Sequence, residues 1–153
     1  MKTVKKKIYY HDTDAGGVVY YSNYLKFFEE GRTEYFEEKG LFTEELLKKG
    51  IAFVVAKAEI EYKRPVRYKD IIDVETQILE IGNTSITFEQ KVMKDGVLCC
   101  QAKITIVCVN ENLKPVRIPD DIKNVLRRQY GQKDSCCLLF KDRNNKKDCA
   151  GNC

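Results

Sequence analysis

The hydrophobic pattern of this 153-residue chain changes its period once, and that change limits the folds open to it. From Tyr24 onward, large apolar residues and one glycine recur at helical spacing, on positions 24, 27, 28, 31 and 35. The spacing predicts a long amphipathic helix with Ser22 as its N-cap, Gly40 at its end, and charged residues including Arg32 on the other faces. Because Gly31 lies on the apolar stripe, the helix backbone is predicted to approach a sheet closely.

After residue 50 the period becomes two, which is the spacing of half-buried strands. Apolar and polar residues alternate over 56–62, 72–78, 86–92 and 98–108, and another strand is predicted over 4–10. Turn signals at Gly82-Asn83 and Asp95-Gly96 favour antiparallel hairpins, and a short helix is predicted from Thr43, its N-cap, to Lys49. The predicted class is α+β, with a long central helix wrapped by a single antiparallel sheet of about five strands.

Length and composition exclude several classes of protein. One domain is predicted over residues 1–130, followed by a flexible C-terminal tail over 131–153 that is rich in charge, Asn and Cys. Apolar runs are much shorter than the ~20 residues that cross a bilayer, so no membrane insertion is expected. The N-terminal residues lack the apolar segment of a secretory signal, which favours a cytoplasmic protein. The net charge of +4 is spread along the chain and gives no support for a nucleic-acid partner.

The seven cysteines do not form a recognisable metal framework. Four of them follow residue 135, and their spacing lacks the paired Cys-x-x-Cys arrangement and nearby histidine of a zinc site. Cys99, Cys100 and Cys108 fall in a predicted strand and are interpreted as reduced core residues. Neither a metal nor a cofactor is expected.

The loop before the long helix holds the densest group of candidate functional residues, with the sequence HDTDAGG over 11–17. A helix N-terminus presents unpaired backbone N–H groups and partial positive charge, which suit an anionic ligand or a developing oxyanion. The same residues are also typical of an ordinary turn in which Asp12 or Asp14 caps a helix. These residues alone leave both interpretations open.

Other catalytic schemes are poorly supplied. His11 is the only histidine, and no Gly-x-Ser-x-Gly elbow or phosphate-binding glycine loop is present. A lone carboxylate suits thioester cleavage, because a thiol of pKa ~8.5 leaves as a thiolate without a dedicated general acid.

The residues KIYYHDTDAGGVVYYSNYLKFFEEGRTEY over 7–35 resemble the active-site signature of the 4-hydroxybenzoyl-CoA thioesterase family. They are especially similar to the bacterial branch of short acyl-CoA thioesterases encoded beside the Tol-Pal envelope genes. The segment IEYKRPVRYKDIIDV over 60–74 resembles the same family, and the similarity spans roughly residues 1–130. Its most specific part is the run Thr-Asp-x-x-Gly-Val-Val at 13–19.

This resemblance implies a hot-dog fold, active sites formed between the subunits of a homodimer, and frequent homotetramers. It implies an acyl-CoA substrate that is hydrolysed to free acid and coenzyme A, with Asp14 as the catalytic carboxylate. Whether Asp14 is the nucleophile or the general base stays open. The oxyanion-binding or substrate-positioning backbone falls at Gly17 and Tyr21. Many members of the bacterial branch have histidine where this chain has Tyr21, so any role of that imidazole is absent here.

Coenzyme A carries phosphates, and cations on or beside neighbouring predicted strands are candidates to bind them: Lys57, Arg64 and Arg67. The same side chains also suit a solvated sheet face. A non-hydrolytic binder of acyl-CoA or acyl-carrier protein is the second hypothesis, and it predicts that Asp14 is dispensable. A basic nucleic-acid-binding domain and a dehydratase on the same fold are weaker alternatives.

Overall fold

The computed structural model describes residues 1–127. Its elements are β1 (Lys2–Lys7), α1 (Asn23–Glu38), α2 (Thr43–Lys48), β2 (Ala52–Tyr62), β3 (Ile71–Ile81), β4 (Ser85–Lys94) and β5 (Val97–Val109). A 3-10 turn, Tyr10–Asp12, follows β1, and Met1–Arg117 form one compact unit. Residues 120–127 are helical. The predicted tail over 131–153, and with it the predicted boundary at 130, lies outside the described residues.

The five strands form one sheet in the order β1-β3-β4-β5-β2, and every neighbouring pair is antiparallel. The turn between β4 and β5 uses Asp95 and Gly96, whose φ values of 51° and 78° are those of a two-residue type I′ hairpin. The predicted strand boundaries were inexact, because β1 ends at Lys7 and β2 already begins at Ala52. The predicted α+β architecture is confirmed.

The long helix α1 packs against β3 and β1 through the predicted stripe, all five members of which are buried. The prediction for Gly31 is confirmed, because a Cβ there would lie 2.6 Å from Thr76 Oγ1 and 3.1 Å from Gln90 Nε2. Those two atoms are on the inner face of the sheet, in β3 and β4. Glycine therefore allows the helix to come this close to the strands.

Two local predictions about the helices are wrong, and a third is confirmed in position only. Arg32 is not on an outer face of α1, since only 8% of its surface is exposed. Ser22 is the N-cap residue of α1 as predicted, but its backbone is helical, with φ and ψ of −76° and −14°, and its hydroxyl makes no capping hydrogen bond. Thr43 is the first residue of α2, and Phe42 occupies the N-cap position. Gly40 ends α1 as predicted, with a φ of 82°.

Strand β2 was predicted to be half-buried, and this prediction is wrong for most of its length. Its residues are mainly exposed on both faces, and Val55 exposes 50% of its surface. The reason is topological. β2 is an edge strand that pairs only with β5, and α1 packs on β3 and β1, which lie toward the opposite edge of the sheet. Among residues 1–127, no helix is long and apolar enough to cross a membrane.

Candidate active site

The loop between β1 and α1 is fixed by Asp12, which is 6% exposed. Asp12 Oδ2 accepts a hydrogen bond from the Tyr9 N–H at 2.9 Å, and Oδ1 lies 3.4 Å from His11 Nδ1. The Asp12 carbonyl accepts from the Tyr20 N–H at 3.0 Å and from Asn23 Nδ2 at 2.8 Å. Asp12 thus ties the beginning of the loop to the start of α1, and its carboxylate is used for structure.

Asp14 has the opposite environment, because its side chain faces solvent while its main chain is fixed. Its N–H donates to the Val18 carbonyl at 2.9 Å, and its carbonyl accepts from the Gly17 N–H at 3.0 Å. Asp14 Oδ1 accepts from the Gly16 N–H at 2.8 Å, and no described residue binds Oδ2. Gly17 closes this turn with a φ of 81°, which is the left-handed region that favours glycine. The turn therefore presents one carboxylate oxygen in a set position.

A short antiparallel bridge joins the loop to the segment between β2 and β3. Val18 pairs with Arg67, and the Val19 N–H donates to the Val66 carbonyl at 2.7 Å. Val19 and Val66 are both buried, so the contact is anchored in the core. The bridge brings the segment that carries Arg64 and Arg67 beside the loop that carries Asp14.

A groove opens at the start of α1. It has a volume of about 280 Å³ and is lined by Val18, Val19, Tyr21, Tyr24, Tyr62, Lys63, Arg64 and Pro65. We call it the helix-start groove. Within the described chain, the backbone N–H groups of Tyr21 and Ser22 have no acceptor. Unpaired N–H groups at a helix start attract negative charge, and Arg64 adds a cation to the same groove.

Two tyrosines form a neutral wall of the helix-start groove. Burial, followed by the nearby Cys100 and Cys99 thiols, raises the pKa of Tyr24 to about 12. Burial also raises the pKa of Tyr62, whose hydroxyl donates to the Tyr21 carbonyl at 3.2 Å. Tyr62 therefore helps to hold the Tyr21 backbone, and both phenols stay protonated at neutral pH.

The negative charge of Asp14 also acts on Tyr20. The pKa of Tyr20 is raised, first by its hydrogen bond with the Tyr21 side chain and last by the negative charge of Asp14. The Asp14 carboxylate is thus within electrostatic reach of Tyr20, three residues before α1 begins.

The structure separates the three cations predicted to bind coenzyme A. Arg64 lines the helix-start groove, and Arg67 is bridged to the loop. Lys57 lies in β2, five residues before its end, which corresponds to roughly 17 Å of strand. Its ammonium is 3.2 Å from Glu59 Oε2, so its charge is partly balanced within its own strand.

The described chain shows no cluster of three or more His, Cys, Asp or Glu residues arranged to bind a metal ion. Cys99, Cys100 and Cys108 are free and buried, as predicted for core residues. Burial raises the pKa of Cys100 to about 12, so this thiol is not a nucleophile at neutral pH.

The sequence profile of the thioesterase-like superfamily matches residues 9–126. The chain belongs to that superfamily. An acyl-CoA thioesterase YbgC of Haemophilus influenzae is 39% identical to it over 119 residues, which cover 76% of this chain and 88% of the relative. An acyl-CoA thioester hydrolase YbgC of Escherichia coli O6:H1 is 36% identical over 118 residues, with the same coverage of both chains.

Solved structures share the fold of this thioesterase-like chain. A protein of Aquifex aeolicus superposes with a TM-score of 0.78 at 31% identity, covering 82% of this chain and 99% of the other. A gentisyl-coenzyme A thioesterase superposes with a TM-score of 0.75 at 30% identity, covering 80% and 99%. The predicted hot-dog fold is confirmed.

Two residues that were not predicted from the sequence also shape the site of this thioesterase-like protein. Asn23 holds the Asp12 carbonyl, and Tyr62 holds the Tyr21 carbonyl. Asn23 could have been found, because a side-chain amide beside a loop and a helix start often satisfies free backbone groups. Tyr62 gave no such signal, since its partner lies 41 residues away in the sequence.

Proposed function

We propose that this protein hydrolyses acyl-CoA thioesters to a free acid and coenzyme A, with Asp14 as its catalytic carboxylate. One observation carries the proposal: a solvent-facing carboxylate on a rigid turn lies in the loop that leads to unpaired N–H groups at a helix start. The names of its relatives support a thioester substrate. We also infer, from the run at 13–19, that the chain belongs to the 4-hydroxybenzoyl-CoA thioesterase family and, within it, to the Tol-Pal-associated bacterial branch.

Asp14 is proposed to act either as a nucleophile or as a general base for water. As a nucleophile, the carboxylate attacks the thioester carbonyl, the carbon–sulfur bond breaks, and water then hydrolyses the mixed anhydride. As a base, it removes a proton from the attacking water. Both routes release a thiolate, which needs no dedicated acid. His11 is exposed beside the structural Asp12, and we propose no role for it in either route.

The N–H of Tyr21 is proposed to polarise the substrate carbonyl. It is unpaired, it lies at the positive end of α1, and Tyr62 holds the carbonyl of the same residue. Gly17 is proposed to act by position, because its N–H is already occupied by the Asp14 carbonyl. Its left-handed backbone keeps the turn tight and leaves room for the substrate beside it.

Arg64 and Arg67 are proposed to bind the phosphates of coenzyme A. Both are exposed. Both also lie in the segment between β2 and β3, which the bridge at Val18 holds beside the loop of Asp14. A guanidinium forms bidentate hydrogen bonds with phosphate oxygens, so two of them suit a ligand with several phosphates. A contact of Lys57 with the same ligand stays a prediction, because Lys57 lies within β2, five residues before the strand ends, whereas Arg64 and Arg67 follow the strand.

The exposed edge of β2 is the proposed site of homodimerisation, and tetramers would then form from dimers. An uncovered edge strand offers free backbone groups to a second chain. Lys57 and Glu59 flank Ala58, so antiparallel pairing of two copies around Ala58 brings opposite charges together.

We also propose a cytoplasmic location, because the buried cysteines of the described chain are free thiols.

The test is hydrolysis of a panel of short, long and aromatic acyl-CoAs by the wild type and by Asp14→Asn. Products are measured as free acid by mass spectrometry, which avoids interference from the protein's own cysteines. We expect the wild type to turn over at least one ester and Asp14→Asn to be slower by about a hundredfold or more.

Asp73→Asn is the matched control, since Asp73 is also an aspartate that accepts a hydrogen bond but lies in β3, where it pairs with Lys5. Circular dichroism establishes that each variant is folded. His11→Gln tests the only histidine as an alternative base, and it should retain wild-type activity. Equal rates in Asp14→Asn and Asp73→Asn would remove Asp14 from the mechanism. Binding of acyl-CoA without turnover would favour the non-hydrolytic hypothesis.

A further inference from the structure

Arg32 is a buried cation that the proposed hydrolysis does not use. It is 8% exposed, and burial lowers its pKa despite the opposing effect of the Glu29 charge. Its guanidinium has five N–H donors, of which one described bond is made, from Nη1 to Gln90 Oε1 at 3.0 Å. None of the ion pairs among the described residues includes Arg32. A buried charge of this kind is costly unless an anion compensates it.

The surrounding network holds the guanidinium in place. Gln90 Nε2 donates to the Phe28 carbonyl and to Thr76 Oγ1, both at 2.8 Å. Both amide hydrogens are therefore used, and the oxygen of Gln90 is left to face Arg32. Because a side chain at Gly31 would displace Thr76 and Gln90, the glycine also preserves this arrangement.

Arg32 lines a second cavity, of about 180 Å³, and apolar side chains make up most of its remaining wall. The apolar residues are Phe36, Leu46, Ala52, Phe53, Val55 and Ile106. Glu29 also borders it, but Glu29 Oε2 accepts from the Thr33 hydroxyl at 2.9 Å and is exposed. None of the residues that line this cavity lines the helix-start groove. Arg32 is nine residues past Asn23, which is roughly 14 Å along α1.

We propose that Arg32 and this cavity form a binding site for a small organic carboxylate. The planar guanidinium matches a carboxylate in a bidentate geometry, and the apolar walls match a hydrocarbon body. The volume limits that body, since a cavity of about 150 Å³ holds one benzene ring. The ligand class is therefore a single-ring or short-chain carboxylic acid. This inference does not depend on the proposed hydrolysis, because it concerns different residues and a binding equilibrium.

The experiment is a calorimetric titration of the full chain with benzoate and, separately, with benzamide. The two probes have nearly the same shape, but only benzoate is an anion. We expect the wild type to bind benzoate more tightly than benzamide, by about tenfold or more, because a charge-assisted hydrogen bond is stronger than a neutral one. Arg32→Gln should remove this preference.

Lys26→Gln is the matched control, because it also removes one positive charge from α1 but at an exposed position. It should bind benzoate as the wild type does. Ala52→Phe retains Arg32 but fills the cavity, so it should abolish binding of both probes. This variant tests the proposal even if Arg32→Gln fails to fold.

Three results would overturn the proposal. The first is equal binding of benzoate and benzamide by the wild type. The second is undiminished benzoate binding by folded Arg32→Gln or Ala52→Phe. The third is an absence of benzoate binding by the wild type. If Arg32→Gln then also shows a lower oligomer mass in light scattering, a second copy of the chain is the occupant of the cavity.

Discussion

Replacement of Gly31 by alanine tests the closest contact between α1 and the sheet. The added methyl group would lie 2.6 Å from Thr76 Oγ1 and 3.1 Å from Val74 Cγ1, both well inside van der Waals contact. It would also lie 3.1 Å from Gln90 Nε2. Thr76 and Val74 have short side chains that cannot swing away, so the helix or the strands must shift.

The expected loss of stability is the balance of three effects. Alanine favours the helix over glycine by about 1 kcal/mol. Overpacking of a tight core costs about 1–3 kcal/mol. Disturbing the bonds of buried Gln90 costs about 1–3 kcal/mol more, because its partners would be left unpaired. We expect Gly31→Ala to lower the free energy of unfolding by about 3 kcal/mol.

The assay is urea unfolding followed by circular dichroism, at one protein concentration for all variants because association would shift the midpoint. Thr76→Ala is the companion variant, since it removes the oxygen that the new methyl group would meet. The double variant should lose less stability than the sum of the two single ones, by about 1 kcal/mol or more. If Gly31→Ala is as stable as the wild type, α1 lies farther from the sheet than described, and the reasoning is refuted.

Three further predictions concern other parts of the molecule. Burial acts to raise the pKa of the Asp70 carboxyl, but hydrogen bonds from a backbone N–H and from Lys94 hold it below its usual range. The lowered pKa stabilises the folded protein above about pH 4, and this stabilisation is lost as the pH falls through the folded pKa. The wild type should therefore have a higher Tm than Asp70→Asn at neutral pH, and the difference should disappear in acid. Because the pKa of Cys100 is raised to about 12, peptide mapping should find it unalkylated until the protein is denatured. Val55→Lys should lower the molar mass in light scattering, and an unchanged mass would exclude β2 as the dimer edge.

The sequence by itself determined the secondary structure and the position of the candidate site. The helical spacing from Tyr24 and the alternation after residue 50 are local properties, so they could be recognised without knowing what packs against them. Gly31 on the apolar stripe likewise indicated a close contact, although not with which strand atoms. The loop over 11–17 placed Asp14 before a helix start, and the resemblance to a thioesterase family gave that loop its meaning.

The tertiary structure decided which charged and strand residues are buried. Arg32 lies on the apolar stripe by position, four residues after Phe28 and three before Tyr35, but its charge suggested an outer face. It is buried because Gln90, 58 residues away, supplies an acceptor, and no local pattern encodes that partner. The exposure of β2 could not be predicted from the sequence either. Alternation shows that one face of a strand is apolar and the other polar, but it does not show whether another element covers the apolar face.

The same limit applies to the candidate site. Lys57, Arg64 and Arg67 are close in sequence, yet the bridge at Val18 brings only the last part of that segment to the loop of Asp14. Spacing along a chain fixes distance only within one strand or helix, and contacts between elements depend on hydrogen bonds and packing that form when the chain folds.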